Sequence, residues 1–218
     1  MQNKKKSTII KDAIALCAIT LVASVALGFV YEITKDPIAK RQAEAKAAAY
    51  KAVYEQAVLV DDTQQDVKDR VEASPDFFAE HGFGDVVLEE VCVAKDSNSK
   101  AIGYVMTIIT NEGYNPPIKF SLGVASDGTV TGLEVLEMQE TKGLGEKATT
   151  PEFKGQFANK KVDAFELIKS TQDKASDGEI NAITGATITS KAVVNTVNAG
   201  VAFANALAKD GIGGVGLE

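Results

Sequence analysis

Two segments of this sequence place reactive or permissive residue types close together. In the first, Asn181–Ser190 (NAITGATITS), Thr184, Thr187, Thr189 and Ser190 surround Gly185 where a helical pattern begins that continues to about Lys209. A phosphate held at Thr187 would meet backbone N–H groups with no intrahelical acceptor and the positive end of the helix dipole. On spacing alone, capping of the helix by Thr187, Thr189 or Ser190 is the stronger account, because every helix start needs a cap. The second segment is Glu140-Thr141-Lys142-Gly143-Leu144-Gly145. By composition it is a Gly-rich loop after the last β-branched run, and a plain surface turn is one reading of Glu140 and Thr141.

Several kinds of chemistry are excluded at this level. The formal charge is −7 and the pI near 4.9, with no basic stripe after residue 45, so a nucleic-acid partner is not expected. Cys17 and Cys92 are the two cysteines and His81 the one histidine. No CxxC occurs, so a zinc or iron–sulfur centre built by this chain alone is not expected. Redox chemistry here would need an organic cofactor or a partner.

The elements that position these segments follow from periodicity. Residues 13–31 (AIALCAITLVASVALGFVY) carry no charge and as a helix would span about 28 Å at about 1.5 Å per residue, the thickness of a bilayer core. Lys4, Lys5, Lys6 and Lys11 precede the run while Glu32 and Asp36 follow it. The positive-inside bias therefore puts residues 1–12 in the cytoplasm and the main domain outside. A cleaved signal peptide ending near Ala26 is the rival reading, weakened by the apolar run continuing through Leu27, Phe29 and Val30. Residues 32–60, rich in Ala, Glu, Lys and Gln, predict a helical stalk.

Four β-branched runs between Asp85 and Met138, joined by SNS, NEGYNPP and SDG, predict an antiparallel meander, since the connections are too short for crossovers. Val193, Val194, Val197, Val201, Phe203, Ala204 and Leu207 recur with helical spacing, so one face of the last helix should pack on the sheet. The fold class is α+β: a single N-terminal transmembrane helix, then an antiparallel-sheet domain over 61–210 with a C-terminal helix. Residues 211–218 form a Gly-rich tail to which the sequence assigns no role.

The TGAT of Thr184–Thr187, followed by a hydroxyl-bearing stretch and a C-terminal helix, resembles the [S/T]GAT attachment motif of the FMN-binding domain in the RnfG and NqrC families. The loop Glu140–Gly145 is similar to their ETxGLG loop, and both motifs stand in the family order behind one N-terminal span. The resemblance implies an FMN held by a phosphoester to Thr187, with Thr184, Gly185 and Ala186 completing the motif and Glu140, Thr141, Gly143, Leu144 and Gly145 near the flavin. It also implies a flavin transferase that uses FAD as donor. Its further implication is membership, beside other membrane and peripheral subunits, of an Rnf-type complex. Such a complex passes electrons between ferredoxin and NAD and moves sodium or protons, and no catalysis is expected of the isolated chain. The length suits RnfG better than NqrC, which is the first alternative along with other anchored FMN-binding reductase components. A non-enzymatic anchored binding module, with TGAT only a helix cap, is the second. Asn181 stands where the family pattern often has Asp.

Overall fold

The computed structural model describes residues 2–61, 63–169 and 176–216. The chain forms two units, Met1–Ala45 and Lys46–Glu218. Helix α1 (Gln2–Val53) begins in the first and ends in the second, and Pro37, where the sequence suggests a separate stalk, lies inside it. From Ile10 to Ile38 its large apolar side chains are exposed, and it is long and apolar enough to cross a membrane. Its hydroxyls fold back on the helix: Thr20 and Ser24 donate to the carbonyls of Leu16 (3.1 Å) and Thr20 (2.8 Å), and Thr34 to that of Val30 (2.8 Å). Internal partners of this kind are what hydrocarbon demands of a polar group.

The second unit is built on one antiparallel sheet of β1 (Leu59–Asp61), β2 (Val86–Lys95), β3 (Ala101–Thr110), β4 (Ile118–Ala125) and β5 (Val130–Met138), paired in sequence order. The meander is as the short connections require. At the β4–β5 hairpin Gly128 N–H donates to Ala125 O (2.9 Å) and Asp127 Oδ1 accepts the Thr129 N–H (2.9 Å). Helices α2 (Gln65–Glu72) and α3 (Ser74–Glu80) fill the acidic stretch before β2. A 3-10 turn (Gly145–Thr149), α4 (Pro151–Lys154) and a parallel pair, β6 (Glu166–Ile168) and β7 (Glu179–Asn181), fill the stretch after β5. Helix α5 (Thr187–Lys209) closes the fold. His81 is exposed, stacked on Phe77 with its Nδ1 2.8 Å from the Phe77 carbonyl.

Both faces of the sheet are covered, so β3 is buried almost throughout. Tyr104, Met106, Ile108, Phe120 and Leu122 share the main core with Val193, Val197 and Val201 of α5. On the other face Cys92, Ala94 and Val105 pack with Tyr50, Val53 and Tyr54. The stretch 32–60 is therefore not one free stalk. Its last helical turns are part of the domain, because Tyr50 hydrogen-bonds Glu90 Oε2 (2.8 Å) and Thr107 Oγ1 (2.9 Å) while Tyr54 donates to Ile102 O (2.7 Å). Burial favours the neutral phenol and pushes the Tyr54 hydroxyl up to about 12. Burial works against the Glu90 carboxylate, but its hydrogen bonds from Lys46 and Tyr50 outweigh that and hold the group below its usual range.

The glycine-rich tail also has a place in the fold that its composition does not signal. Tyr104 donates to Ile212 O at 2.6 Å, Gly213 N–H donates to Asp66 Oδ2 at 2.7 Å, and Val215 is fully buried.

Candidate functional site

The turn before α5 is held by backbone geometry and one side chain. Ala186 N–H donates to Ile183 O (2.9 Å), and Gly185, at φ +80, takes the left-handed position that such a turn needs. Ser190, fully buried, clamps both ends: its Oγ accepts the Ile183 N–H (2.9 Å) and donates to Ala186 O (2.9 Å). The N-cap is Ala186, and no side chain caps the helix. Among the described residues no acceptor takes the N–H groups of Thr187, Ile188 or Thr189. The capping role open to Thr187, Thr189 and Ser190 in the sequence is thus filled by none of them, and the helix start is left ready for an anion.

Opposite this turn stands the loop after β5. Thr141 O accepts the N–H groups of Leu144 (3.1 Å) and Glu146 (3.2 Å), and Gly143, at φ +74, gives its N–H to Glu146 Oε2 (3.3 Å). Loop and turn enclose a cleft of about 540 Å³ lined by Glu140, Thr141, Leu144, Gly145, Gly185, Ala186 and Thr187, with Tyr114, Ile188 and Thr189. Seven of the nine residues singled out in the two motifs therefore meet, although Gly145 and Gly185 are forty positions apart. The other two are elsewhere: Gly143 stays in the loop, and Thr184 lines a neighbouring, more polar cleft with Asn181, Gln156, Lys147 and Glu179. In that cleft Asn181 is tied through its backbone to Gln156, and the Ser176 N–H holds the Glu179 carboxyl below its usual range.

The hydroxyls separate by exposure. Thr189 and Ser190 are buried, whereas Thr184 and Thr187 are exposed, and of these two only Thr187 lines the first cleft. Tyr114, Leu144 and Ile188 give that cleft an apolar rim while being 68%, 42% and 56% exposed themselves. Exposed apolar side chains gathered at one concavity are the mark of a ligand site. Sequence reasoning missed Tyr114, read as part of a turn, and Ile188, read as an ordinary helix residue, and it took Thr189 for a candidate cap rather than for part of a cleft. Alternation of exposure within the first turn of α5 would have needed the fold to be visible.

A planar apolar ring with a phosphate on a flexible arm fits this arrangement, the rim taking the ring and the open N–H groups the phosphate. The class follows from comparison as well: a family model described as an FMN-binding domain matches residues 113–202, which take in both motifs and the whole cleft lining, and one described as the RnfG N-terminal region matches residues 1–53. The G-type subunit of the ion-translocating oxidoreductase complex of Methanosarcina acetivorans is 33% identical over 94% of this chain and 98% of its own. Its counterpart in the sodium-translocating ferredoxin:NAD(+) oxidoreductase complex of Acetobacterium woodii is 30% identical over 91% and 88%. That of the proton-translocating ferredoxin:NAD(+) oxidoreductase complex of Clostridium ljungdahlii is 31% identical over 88% and 92%. The chain belongs to this family, the RnfG subunits of ion-translocating oxidoreductase complexes.

Gly145 packs closely between the loop and the start of α5. A Cβ there would lie 2.6 Å from Glu140 Oε2 and 2.8 Å from Thr189 Oγ1. Gly145→Val should therefore displace the cleft floor and change the absorption spectrum and midpoint potential of FMN bound in it. Spectrum and potential identical to the unsubstituted protein would mean that the loop has no part in the site.

Proposed function

We propose that this chain is the anchored electron carrier of an Rnf-type complex, with FMN attached through a phosphoester to Thr187. The single observation behind the attachment is that Thr187 alone among the motif's hydroxyls is both exposed and inside the cleft. Thr187 Oγ would form its bond to the flavin-side phosphorus of FAD on a dedicated transferase, losing its proton as the pyrophosphate link breaks and AMP leaves. The diester keeps one negative charge, which the open N–H groups of Thr187, Ile188 and Thr189 stabilise. Leu144, Ile188 and Tyr114 would hold the ring and shed water from it. The attached flavin supplies the redox chemistry, taking up and releasing electrons singly or in pairs. Neighbouring Rnf subunits, working between ferredoxin and NAD, would be donor and acceptor. The mass of the intact protein from its native host tests this reading. One flavin phosphate per chain, mapped to the peptide holding Thr187, is expected, and an unmodified chain would overturn it.

The lysines before residue 12 support an N-terminus in the cytoplasm and a domain outside. Protease added to sealed right-side-out cells should then digest everything beyond residue 36. Full protection would reverse the orientation.

A further inference from the structure

Two polar side chains buried at the floor of the cleft carry atoms for which the fold has no use. Glu140 is 8% exposed and Thr189 1% exposed, and both line the cleft. Glu140 Oε1 accepts the Asn115 N–H at 3.2 Å. Among the described residues, no donor reaches Oε2 and no partner reaches Thr189 Oγ1. Both atoms lie beside Gly145, where an added Cβ would fall 2.6 Å from the first and 2.8 Å from the second. Among the described residues the one fully buried side-chain oxygen without a partner is Ser121 Oγ, so Glu140 Oε2 and Thr189 Oγ1, unpartnered as they are, stay open to the cleft they line. An acceptor open at the floor of a ligand cleft is placed to take a donor from the ligand.

We propose that Glu140 and Thr189 form a polar seat for the cofactor. Glu140 Oε2 accepts a hydrogen bond from a neutral N–H or O–H group of the flavin, and the Thr189 hydroxyl, able to give and accept, bonds a neighbouring oxygen. This rests on the FMN reading above. FMN offers that chemistry on the ring, where N3–H stands between two carbonyls, and on the ribityl chain with its hydroxyls. The phosphate is excluded, because the carboxylate repels it and the open N–H groups of α5 attract it. A second consequence is electrostatic. A fixed negative charge beside the flavin opposes the negative charge gained on reduction, so Glu140 holds the midpoint potential down. Both residues are positioning residues, and Glu140 is also a tuning one.

The test uses the full chain carrying Glu140→Gln or Thr189→Val, each prepared with attached flavin and, from a host lacking the transferase, without it. Glutamine keeps an acceptor for Asn115 and valine keeps the shape of threonine. In flavin-free protein neither substitution should lower the melting temperature, because no partner is lost. In flavin-bearing protein both should shrink the rise in melting temperature that attachment brings. Glu140→Gln should also raise the midpoint potential by about 30 mV or more, a tenfold change for a two-electron couple, while Thr189→Val should move it far less. Shifted ring-carbonyl bands in the Raman spectrum of Glu140→Gln would assign the donor to N3–H. Unshifted bands with the smaller melting rise would assign it to the ribityl chain. Equal melting changes with and without flavin, at unchanged potential, would overturn the proposal and leave both residues structural. Absence of flavin from the unsubstituted native chain would instead sink the FMN reading itself.

Discussion

Thr187→Ala should yield a folded, membrane-inserted chain with no covalent flavin. The substitution removes the one exposed hydroxyl of the stretch Thr184–Ser190 that lines the cleft, and the remaining candidates in that stretch are not placed to replace it. Ser190 Oγ is spent inside the turn on the Ile183 N–H and the Ala186 carbonyl, Thr189 is 1% exposed, and Thr184 lines the neighbouring cleft. The cost to the fold should be small. Loss of an N-cap hydroxyl takes roughly 0.5–2 kcal/mol, but the cap here is Ala186 and Thr187 makes no capping bond. A change of about 0.5 kcal/mol or less, that of an ordinary surface substitution, is therefore expected. Attached flavin is read by in-gel fluorescence and stability by a urea transition. Flavin found on Thr184, Thr189 or Ser190 in this variant would refute the assignment, and a collapsed urea midpoint would show that Thr187 holds the turn together. Thr187→Ser keeps a hydroxyl and should retain flavin if the transferase tolerates loss of the methyl group.

A soluble fragment beginning at Lys46 should fold cooperatively, whereas one beginning at residue 61 should not. The shorter fragment keeps every strand from β2 to β5 and all of α5 but lacks Tyr50, Val53 and Tyr54, which are 8%, 1% and 3% exposed against the outer face of the sheet. Burying each such side chain is worth about 1.5–3 kcal/mol. Losing the three therefore removes roughly 4.5–9 kcal/mol, a large part of the ~5–15 kcal/mol by which a domain is stable. Lost too are the bonds of Tyr50 to Glu90 and Thr107, of Tyr54 to Ile102, and of Thr131 Oγ1 to Val53 O (2.5 Å). The groove is shaped for this helix end: a Cβ on Gly123 would lie 2.6 Å from Val53 O, and one on Gly132 would lie 2.9 Å from Val53 Cα. Urea transitions of the two fragments decide the matter. Equal midpoints would mean that the end of α1 lies on the sheet without contributing to it.

What the sequence by itself determined are the features that a short window can encode. An uncharged run of bilayer length specifies the apolar helix, because length and hydropathy are local. Alternating β-branched residues with connections of a few residues specify the antiparallel meander, because no crossover fits. The valine period specifies which face of α5 meets the sheet. TGAT and ETKGLG could be picked out as segments, and both line the one cleft, because they are contiguous and their glycines serve backbone shape. Only the tertiary structure decided which hydroxyl is open, since Thr187, Thr189 and Ser190 are equivalent as letters and differ in what the rest of the chain lays over them. The structure also brought Tyr114 and Ile188 to the rim beside Leu144. It placed Lys46–Val53 on the sheet rather than in a stalk, and it packed the glycine tail under Tyr104 and Asp66. Each of these outcomes rests on burial or hydrogen bonds between residues tens of positions apart. Such contacts leave no period in the sequence, because their strength depends on the water they exclude once the chain has closed around them.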